Sequence, residues 1–204
     1  MSVISLDLFL KERGFYDSVN MENGSGQIPQ QQIDLIKLVN LGSVKTIMEI
    51  GFNAGHSADA LLSARPDVTL VSFDIAIHKY IDTAKEYIDM KFPGRHILIK
   101  GDSLTTIPQY IRDNPGTKFD LIFIDGCHDF RYAMSDLLNC RQLAHKDTIV
   151  ILDDTSYRLQ IAQWNEGPTL AWMLMSINRI INSISSVEYV PGRGMSWGKY
   201  IIDP

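Results

Sequence analysis

The stretch that decides the fold is TIMEIGFNAGHS at residues 46–57. A short apolar run there contains Glu49 and stops at Gly51, as a buried parallel strand does, and a segment of helical length starts at Ser57. Gly51 and Gly55 let the backbone turn tightly and approach a ligand, and the following helix presents its N-terminus at the same place. The stretch therefore predicts a strand, a ligand-binding turn and a helix.

Four later segments repeat this form, because each is an apolar run that ends in or beside a carboxylate. They are VTLVSFD (68–74), HILIKGD (96–102), FDLIFIDG (119–126) and DTIVILDD (147–154). Segments of helical length lie between the five runs, at 57–64, 80–91, 105–112 and 132–143, and another at 33–41 precedes the first. Parallel strands need crossover helices that cover both faces of the sheet. We therefore predict an α/β fold with a doubly wound sheet.

The two ends of the chain depart from this alternation. Pro168 opens an apolar segment at 169–184 that predicts one long helix, and VEYVPGRGMSWGKYIID (187–203) predicts an antiparallel hairpin around a Pro-Gly-Arg-Gly turn. Residues 1–15 predict an amphipathic helix, and residues 14–32 have little helical pattern and are expected to form a lid. We predict a single domain over 1–204, with 1–32 as helix and lid segment and 33–204 as the core.

Composition excludes several classes of protein. The 204 residues carry 19 Lys and Arg against 24 Asp and Glu, a formal charge of −5 with no basic run, so we expect no nucleic-acid partner. No apolar stretch approaches the roughly 18 to 20 residues that span a bilayer. The two cysteines, Cys127 and Cys140, give no disulfide or zinc pattern. We therefore expect a cytoplasmic protein with no membrane partner.

The ends of the first three strands carry groups suited to a nucleoside with an amino-acid moiety. Asn53 occupies the second glycine position of a dinucleotide fingerprint, which disfavours NAD and FAD, and Glu49 favours an ammonium group over a phosphate. Asp74, 25 residues after Glu49, is placed to accept hydrogen bonds from ribose hydroxyls. Asp102 with Ser103 could hold an adenine edge. Asp74, Asp102 and Ser103 each have the alternative interpretation of a helix N-cap.

The segments EIGFNAGHS, SFD, KGDS and FDLIFIDG resemble, in order and spacing, the cofactor motifs of class I S-adenosylmethionine-dependent methyltransferases. The resemblance extends from about Gly26 to the end of the chain, and its glycine turn is most similar to that of small O-methyltransferases. It implies a Rossmann-like, seven-stranded sheet, mostly parallel, with a C-terminal antiparallel hairpin. The cofactor-binding residues that it implies are Glu49, Gly51, Asn53, Gly55 and Ser57 around the methionine part, Asp74 at the ribose, Asp102 and Ser103 at the adenine, and Asp125.

A second group of acidic residues lies at the ends of the fourth and fifth strands. Asp125 precedes Asp153 by 28 residues, the length of one helix and one strand, so adjacent strands would bring Asp125, Asp153 and Asp154 together. Three carboxylates repel one another unless a cation joins them, and oxygen ligands favour Mg²⁺, with Ca²⁺ or Mn²⁺ as alternatives. The other interpretation is that the aspartates cap the next segment or face water.

The pattern IDGxHxF followed by DD is similar to metal-dependent O-methyltransferases that act on sugar hydroxyls of macrolide and aminocoumarin natural products. This resemblance implies that Asp125, Asp153 and Asp154 bind Mg²⁺ and that His128 is the catalytic base. A sister subgroup places an aspartate base two residues after the first ligand, where this chain has Cys127.

The segment YRLQIAQWNEGPTLAW (157–172) is rich in aromatic and polar residues for a connection between a strand and a helix. We interpret Trp164, Asn165 and Glu166 as substrate contacts, with the alternative that the tryptophans pack on the sheet and Asn165 caps the helix.

The combined prediction is a methyltransferase that uses S-adenosylmethionine and Mg²⁺ to methylate a hydroxyl of a small molecule or glycoside. The alternatives are a metal-independent methyltransferase, a cofactor-binding module without turnover and, less favoured, a nicotinamide oxidoreductase. The N-terminal amphipathic segment and the apolar segment 169–184 are compatible with a homodimer.

Overall fold

The computed structural model describes residues 4–15, 29–156, 158, 161–190 and 192–202. Its seven strands form one sheet. In chain order they are β1 (Thr46–Ile50), β2 (Thr69–Asp74), β3 (His96–Lys100), β4 (Phe119–Ile124), β5 (Ala144–Asp153), β6 (Ile181–Val190) and β7 (Arg193–Tyr200).

The helices of the described residues alternate with the first five strands and add two before β1. They are α1 (Leu6–Glu12), α2 (Pro29–Val39), α3 (His56–Ala64), α4 (Ile81–Lys91), α5 (Ser103–Asp113), α6 (Phe130–Arg141) and α7 (Glu166–Ile177).

The strand order is β3-β2-β1-β4-β5-β7-β6. Strands β1 to β5 pair in parallel, and β7 runs antiparallel to both β5 and β6. The predicted doubly wound sheet with a C-terminal antiparallel hairpin is therefore confirmed. The order reverses between β1 and β4, and in such sheets ligands bind beyond the carboxyl ends of the strands at that reversal.

Alternation along the strands divides the core into two layers. In β4, Leu121 and Phe123 pack on one face of the sheet, and Ile122 and Ile124 pack on the other. The first layer takes buried side chains from α1 to α4, and the second takes them from α5, α6 and α7. Both faces are covered by helices, which is why the central strands are mostly apolar.

Two helix boundaries differ from the prediction. The helix predicted at 169–184 is wrong in its second half, because α7 ends at Ile177 and β6 starts at Ile181. Arg179 between them has a φ of 57°, a left-handed conformation that stops a helix. Pro168 is the third helical residue, since α7 begins at Glu166.

At the other end of the chain, α2 begins at Pro29, so residues 29–32 of the predicted lid are helical. The rest of that lid from residue 16 to 28 lies outside the described residues. Among the described helices, none has the length and apolar character needed to cross a membrane.

Candidate active site

The turn after β1 is built on backbone conformations that favour glycine. Gly51 has a φ of 96°, and a Cβ there would overlap the carbonyl oxygen of Asp125 and lie 2.7 Å from its carbonyl carbon. The carboxyl ends of β1 and β4 therefore touch at a point where only glycine fits. Gly55 precedes α3 with a φ of 84°.

Asn53 also adopts a left-handed conformation, with a φ of 45°. Asparagine tolerates this region better than most residues, so it replaces the expected glycine without breaking the turn. The backbone N–H of Asn53 donates to Oδ2 of Asp74 at 2.8 Å, and the Tyr80 hydroxyl donates to Oδ1 of Asn53 at 2.5 Å. Asp74, at the end of β2, therefore supports the glycine turn and borders the same crevice.

Glu49 and Ser57 are both buried and hydrogen-bonded to each other. Glu49 is fully buried, and its two carboxylate oxygens accept hydrogen bonds from the hydroxyls of Ser57 and Ser72. Burial raises the pKa of Glu49 to about 7, although the two serine hydrogen bonds lower it. Glu49 thus connects β1, β2 and α3, and its expected contact with an ammonium group stays a prediction.

The loop after β3 contains the residues expected at an adenine. Asp102 is the N-cap of α5, where its Oδ1 accepts from the Leu104 N–H at 2.9 Å and its Oδ2 accepts from the Tyr132 hydroxyl at 3.2 Å. The alternative interpretation as an N-cap is therefore present in the structure. Capping uses one oxygen of the carboxylate and leaves lone pairs on both for a ligand.

Asp136 was missed by sequence reasoning, although it lies directly behind this loop. It is 1% exposed, it hydrogen-bonds Ser103, and its Oδ1 has no hydrogen-bond partner among the described residues. Burial raises the pKa of Asp136 to about 7. The available signal was its position in α6, on the face that also buries Ala133, Leu137 and Cys140.

Asp125, His128 and Asp154 form a cluster beside the glycine turn. One ligand atom from each lies within 4.8 Å of the others. Asp154 reaches the cluster because its φ is 52°, which turns the chain after β5. Nε2 of His128 lies 3.0 Å from Oδ2 of Asp154. The structure thus brings together two of the three predicted metal ligands and the predicted base.

The pKa values in the cluster are shifted because several carboxylates lie close together. Desolvation, followed by the charges of Asp153 and Asp154, raises the pKa of Asp125 well above its usual range. The hydrogen bond to Asp154 raises the pKa of His128, although burial opposes this effect. A divalent cation would relieve this repulsion, and the carboxylate oxygens of Asp125 and Asp154 are suitable ligands for Mg²⁺ or Mn²⁺. The donor set therefore fits a divalent cation.

Asp153, the third predicted metal ligand, lies outside the group formed by Asp125, His128 and Asp154 but close enough for its charge to raise the pKa of Asp125. It is 4% exposed, and its Oδ2 accepts a hydrogen bond from Nε2 of Gln31 at 2.5 Å. Burial and the charge of Asp154 raise the pKa of Asp153 to about 7. Sequence reasoning missed Gln31, which belongs to a glutamine run that carries no recognised motif.

Arg193 was also missed as a contact of the site. It lies in the Pro-Gly-Arg-Gly turn, and its Nε is 3.5 Å from Oδ1 of Asp154. The sequence predicted a turn at this position but did not indicate that Arg193 would lie next to the end of β5.

The predicted substrate residues lie at the start of α7. Trp164 is 38% exposed, and its ring centre is 6.4 Å from that of His128, so it borders the cluster. Asn165 is fully buried, and its side chain accepts from the Ala162 N–H and donates to the Gly192 carbonyl. Asn165 therefore holds two backbone segments together, which leaves no surface for a substrate. Glu166 is the first residue of α7.

A family model described as a methyltransferase domain matches residues 48–155, more than half of the chain. No curated protein matches the sequence. Solved structures that resemble the fold include an O-methyltransferase from Bacillus cereus in complex with S-adenosylhomocysteine, at 20% identity and a TM-score of 0.75, with 98% of this chain and 94% of that chain covered.

Two further similar structures are of O-methyltransferases from tomaymycin synthesis and calicheamicin biosynthesis. The O-methyltransferase TomG from Streptomyces achromogenes, involved in tomaymycin synthesis and bound to S-adenosylmethionine, is 18% identical, with a TM-score of 0.73 and coverage of 98% of this chain and 92% of that chain. The TDP-rhamnose 3′-O-methyltransferase CalS11 of calicheamicin biosynthesis is 20% identical, with a TM-score of 0.64 and coverage of 95% and 90%. From the matched domain and the sheet order, this chain belongs to the methyltransferase-domain family and has the fold of the class I S-adenosylmethionine-dependent methyltransferases.

Proposed function

We propose that this protein is an S-adenosylmethionine-dependent O-methyltransferase that uses a divalent cation to methylate a hydroxyl of a small molecule or glycoside. The observation that carries the proposal is the contact between the glycine turn and the acidic cluster, because the backbone of Asp125 touches Gly51 while its carboxylate joins His128 and Asp154. A methyl donor on the turn and an acceptor hydroxyl at the cluster would then be neighbours.

The residues around the turn fit the proposed methyl donor. Gly51 has no side chain to block the approach of a ligand, and the carboxylate of Asp74 lies beside the turn for ribose hydroxyls. Asp102 and Ser103 lie at the N-terminus of α5, where backbone N–H groups accompany the carboxylate for contact with a base edge.

The cluster residues fit the proposed cation and a proton acceptor. Asp125 and Asp154 would hold the cation, with Asp153 adjacent. S-adenosylmethionine supplies an electrophilic methyl group, and the cation lowers the pKa of a hydroxyl that it binds. His128 accepts the hydroxyl proton on its imidazole as the oxygen forms its bond to the methyl carbon and the bond from sulfur to that carbon breaks. Trp164 lies beside His128, with 6.4 Å between the ring centres, where it would contact an acceptor bound at the cluster.

A second candidate is a metal-independent methyltransferase. The distance of 3.0 Å between His128 and Asp154 favours it, because a carboxylate that binds an imidazole orients the ring and stabilises its protonated form without a cation.

Two measurements test these proposals. Calorimetric titration of S-adenosylhomocysteine with Mg²⁺ and with EDTA is expected to give micromolar binding in both buffers. Methyl transfer to a panel of hydroxylated acceptors is expected only with Mg²⁺, and full turnover in EDTA would support the metal-independent candidate. Binding of S-adenosylhomocysteine with no turnover on any acceptor would favour a binding module, and absence of binding would contradict the methyltransferase proposal.

His128→Ala is expected to lower turnover by about 10²-fold or more if His128 is the base. The matched control is His145→Ala, because His145 is similarly exposed and is also paired with an aspartate, Asp120 at 3.1 Å, but lies at the opposite ends of β4 and β5. Equal rates in the two variants would remove His128 from the mechanism.

A further inference from the structure

Three consecutive glutamines occupy the start of α2, and only the middle one reaches the acidic site. Gln31 is 2% exposed, and Gln30 is exposed and donates instead to Asp34 on its own helix at 3.2 Å. The amide of Gln31 donates to Oδ2 of Asp153 at 2.5 Å, across 122 residues of sequence. This contact joins a helix that precedes the sheet to the end of β5.

The chemistry of this contact suits a cation site. Asp153 lies near Asp125 and Asp154, so a lysine or arginine at position 31 would cancel charge that a cation needs, and a glutamate would add to the repulsion. A neutral amide satisfies one carboxylate oxygen without changing the net charge. It also fixes the rotation of the carboxylate and thereby the direction of the second oxygen.

Helix α2 does not depend on Gln31 for its position. Leu35, Leu38 and Val39 are buried against the sheet, and the Tyr189 hydroxyl on β6 donates to Oδ2 of Asp34 at 3.3 Å. Loss of the Gln31 amide is therefore expected to leave the helix docked, so its effect on the site can be measured separately.

We propose that Gln31 is a positioning residue that orients the Asp153 carboxylate for divalent-cation binding and so connects α2 to the acidic site. The inference rests on the proposed function, since it requires that the cluster binds a cation. In metal sites, groups that hydrogen-bond a ligand side chain change metal affinity by about 10- to 100-fold when removed.

The test is a calorimetric titration of Mn²⁺ into the full chain, which measures the affinity for Mn²⁺. Gln31→Met keeps the length of the side chain and removes the donor, and Gln31→Asn keeps the amide but shortens its reach. Both are expected to weaken Mn²⁺ binding about 10-fold or more while the affinity for S-adenosylhomocysteine in EDTA stays within about twofold. Gln30→Met, the matched control, is expected to leave both affinities unchanged.

A double-mutant cycle distinguishes positioning from general stabilisation. If Gln31 acts through Asp153, Gln31→Met is expected to cause no further loss of Mn²⁺ affinity in the Asp153→Asn background. An equal loss in both backgrounds would overturn the inference.

The remaining outcomes separate the inference from the proposed function. Tight Mn²⁺ binding by wild type and by both Gln31 variants would overturn the inference alone. Absence of Mn²⁺ binding by the wild type would overturn the proposed cation site and the inference together. Weaker binding of both Mn²⁺ and S-adenosylhomocysteine in the Gln31 variants would overturn the positioning role in favour of a structural one.

Discussion

At the scale of single residues, Gly51 is the most constrained position of the site. Gly51→Ala is expected to lower the free energy of unfolding by at least about 3 kcal/mol, because its Cβ would overlap the Asp125 carbonyl in addition to the cost of a positive φ. Urea denaturation measures the loss. Gly94→Ala is the control, since Gly94 has a φ of 72° with nothing within 4 Å, and only about 1 kcal/mol is expected there. Similar losses at both positions would contradict the overlap.

Glu49 gives a prediction about pH. Its pKa is about 7 in the folded chain against 4.5 for an ordinary glutamate, so between these values the folded state keeps a proton that the unfolded state has released. The contribution of Glu49 to the free energy of unfolding should therefore fall as pH rises from about 4.5 to 7, by about 3 kcal/mol, and change no further above pH 7.

Glu49→Gln removes this titration but keeps hydrogen-bonding partners for Ser57 and Ser72. The stability of the variant relative to wild type should grow between pH 5 and 7 and then stay constant, as measured by urea unfolding at several pH values. Parallel pH profiles for the two proteins would show that Glu49 does not titrate in this range.

The same two residues show what sequence could predict and what it could not. Spacing placed Gly51 and Glu49 at the end of a strand, and their conformation and location agree with that prediction. Alternation along a strand tells which residues share a face, but it does not tell which helix covers that face. The pattern therefore did not reveal that Glu49 points between β1, β2 and α3. Likewise, Asp153 and Asp154 are adjacent in sequence, but the left-handed backbone of Asp154 directs it to His128 while Asp153 contacts Gln31.

At the scale of elements, helix α7 supports the loop that carries His128. A Cβ on Gly167 would overlap the His128 carbonyl oxygen and lie 2.6 Å from the Phe130 nitrogen, so helix and loop are in direct backbone contact. Gly167→Ala is expected to displace the loop and lower turnover about 10²-fold, because misplacement by about 1 Å has this effect in catalysis. Gly116→Ala, where nothing lies within 4 Å, is the control for steady-state kinetics, and equal rates would contradict the supporting role of α7.

The boundary between α7 and β6 was the least predictable part of the fold. The segment 169–184 is mainly apolar, and an apolar run favours a buried helix and a buried strand equally. Arg179 ends the helix by a conformation that glycine usually provides, so no glycine signalled the break. The five parallel strands were predictable because each has a short apolar run and a carboxylate or glycine at its end.

At the scale of the whole molecule, α7 exposes an apolar stripe. Leu170, Met173, Leu174 and Ile177 are each between 38% and 71% exposed and follow helical spacing. This stripe supports the expectation of a homodimer. Ile177→Glu with Met173→Glu is expected to give a monomer in sedimentation velocity, whereas Met90→Glu, at an exposed position on α4, should leave the dimer intact. A monomeric wild type would contradict the expectation.

A ligand bound at the proposed cofactor site should stabilise the whole sheet, since that site lies at the carboxyl ends of β1, β2 and β4. S-adenosylhomocysteine at 100 times its dissociation constant contributes about 2.7 kcal/mol to the folded state, if it binds only that state. For a chain of 204 residues, this corresponds to a rise in Tm of about 5 to 11 °C. Thermal unfolding monitored by circular dichroism measures the rise.

Asp74→Asn should reduce this rise at the same ligand concentration, because one proposed acceptor for the ribose hydroxyls loses its charge. The amide oxygen can still accept the Asn53 N–H, but the Ala76 N–H, which donates to Oδ1 of Asp74 at 2.7 Å, loses its acceptor, so the variant is expected to be about 1 kcal/mol less stable than wild type without ligand. An equal rise in Tm for wild type and variant would place the ligand away from β2. A smaller rise that recovers at higher ligand concentration would locate the loss in binding, because mass action restores occupancy of a weakened site but cannot repair a damaged fold.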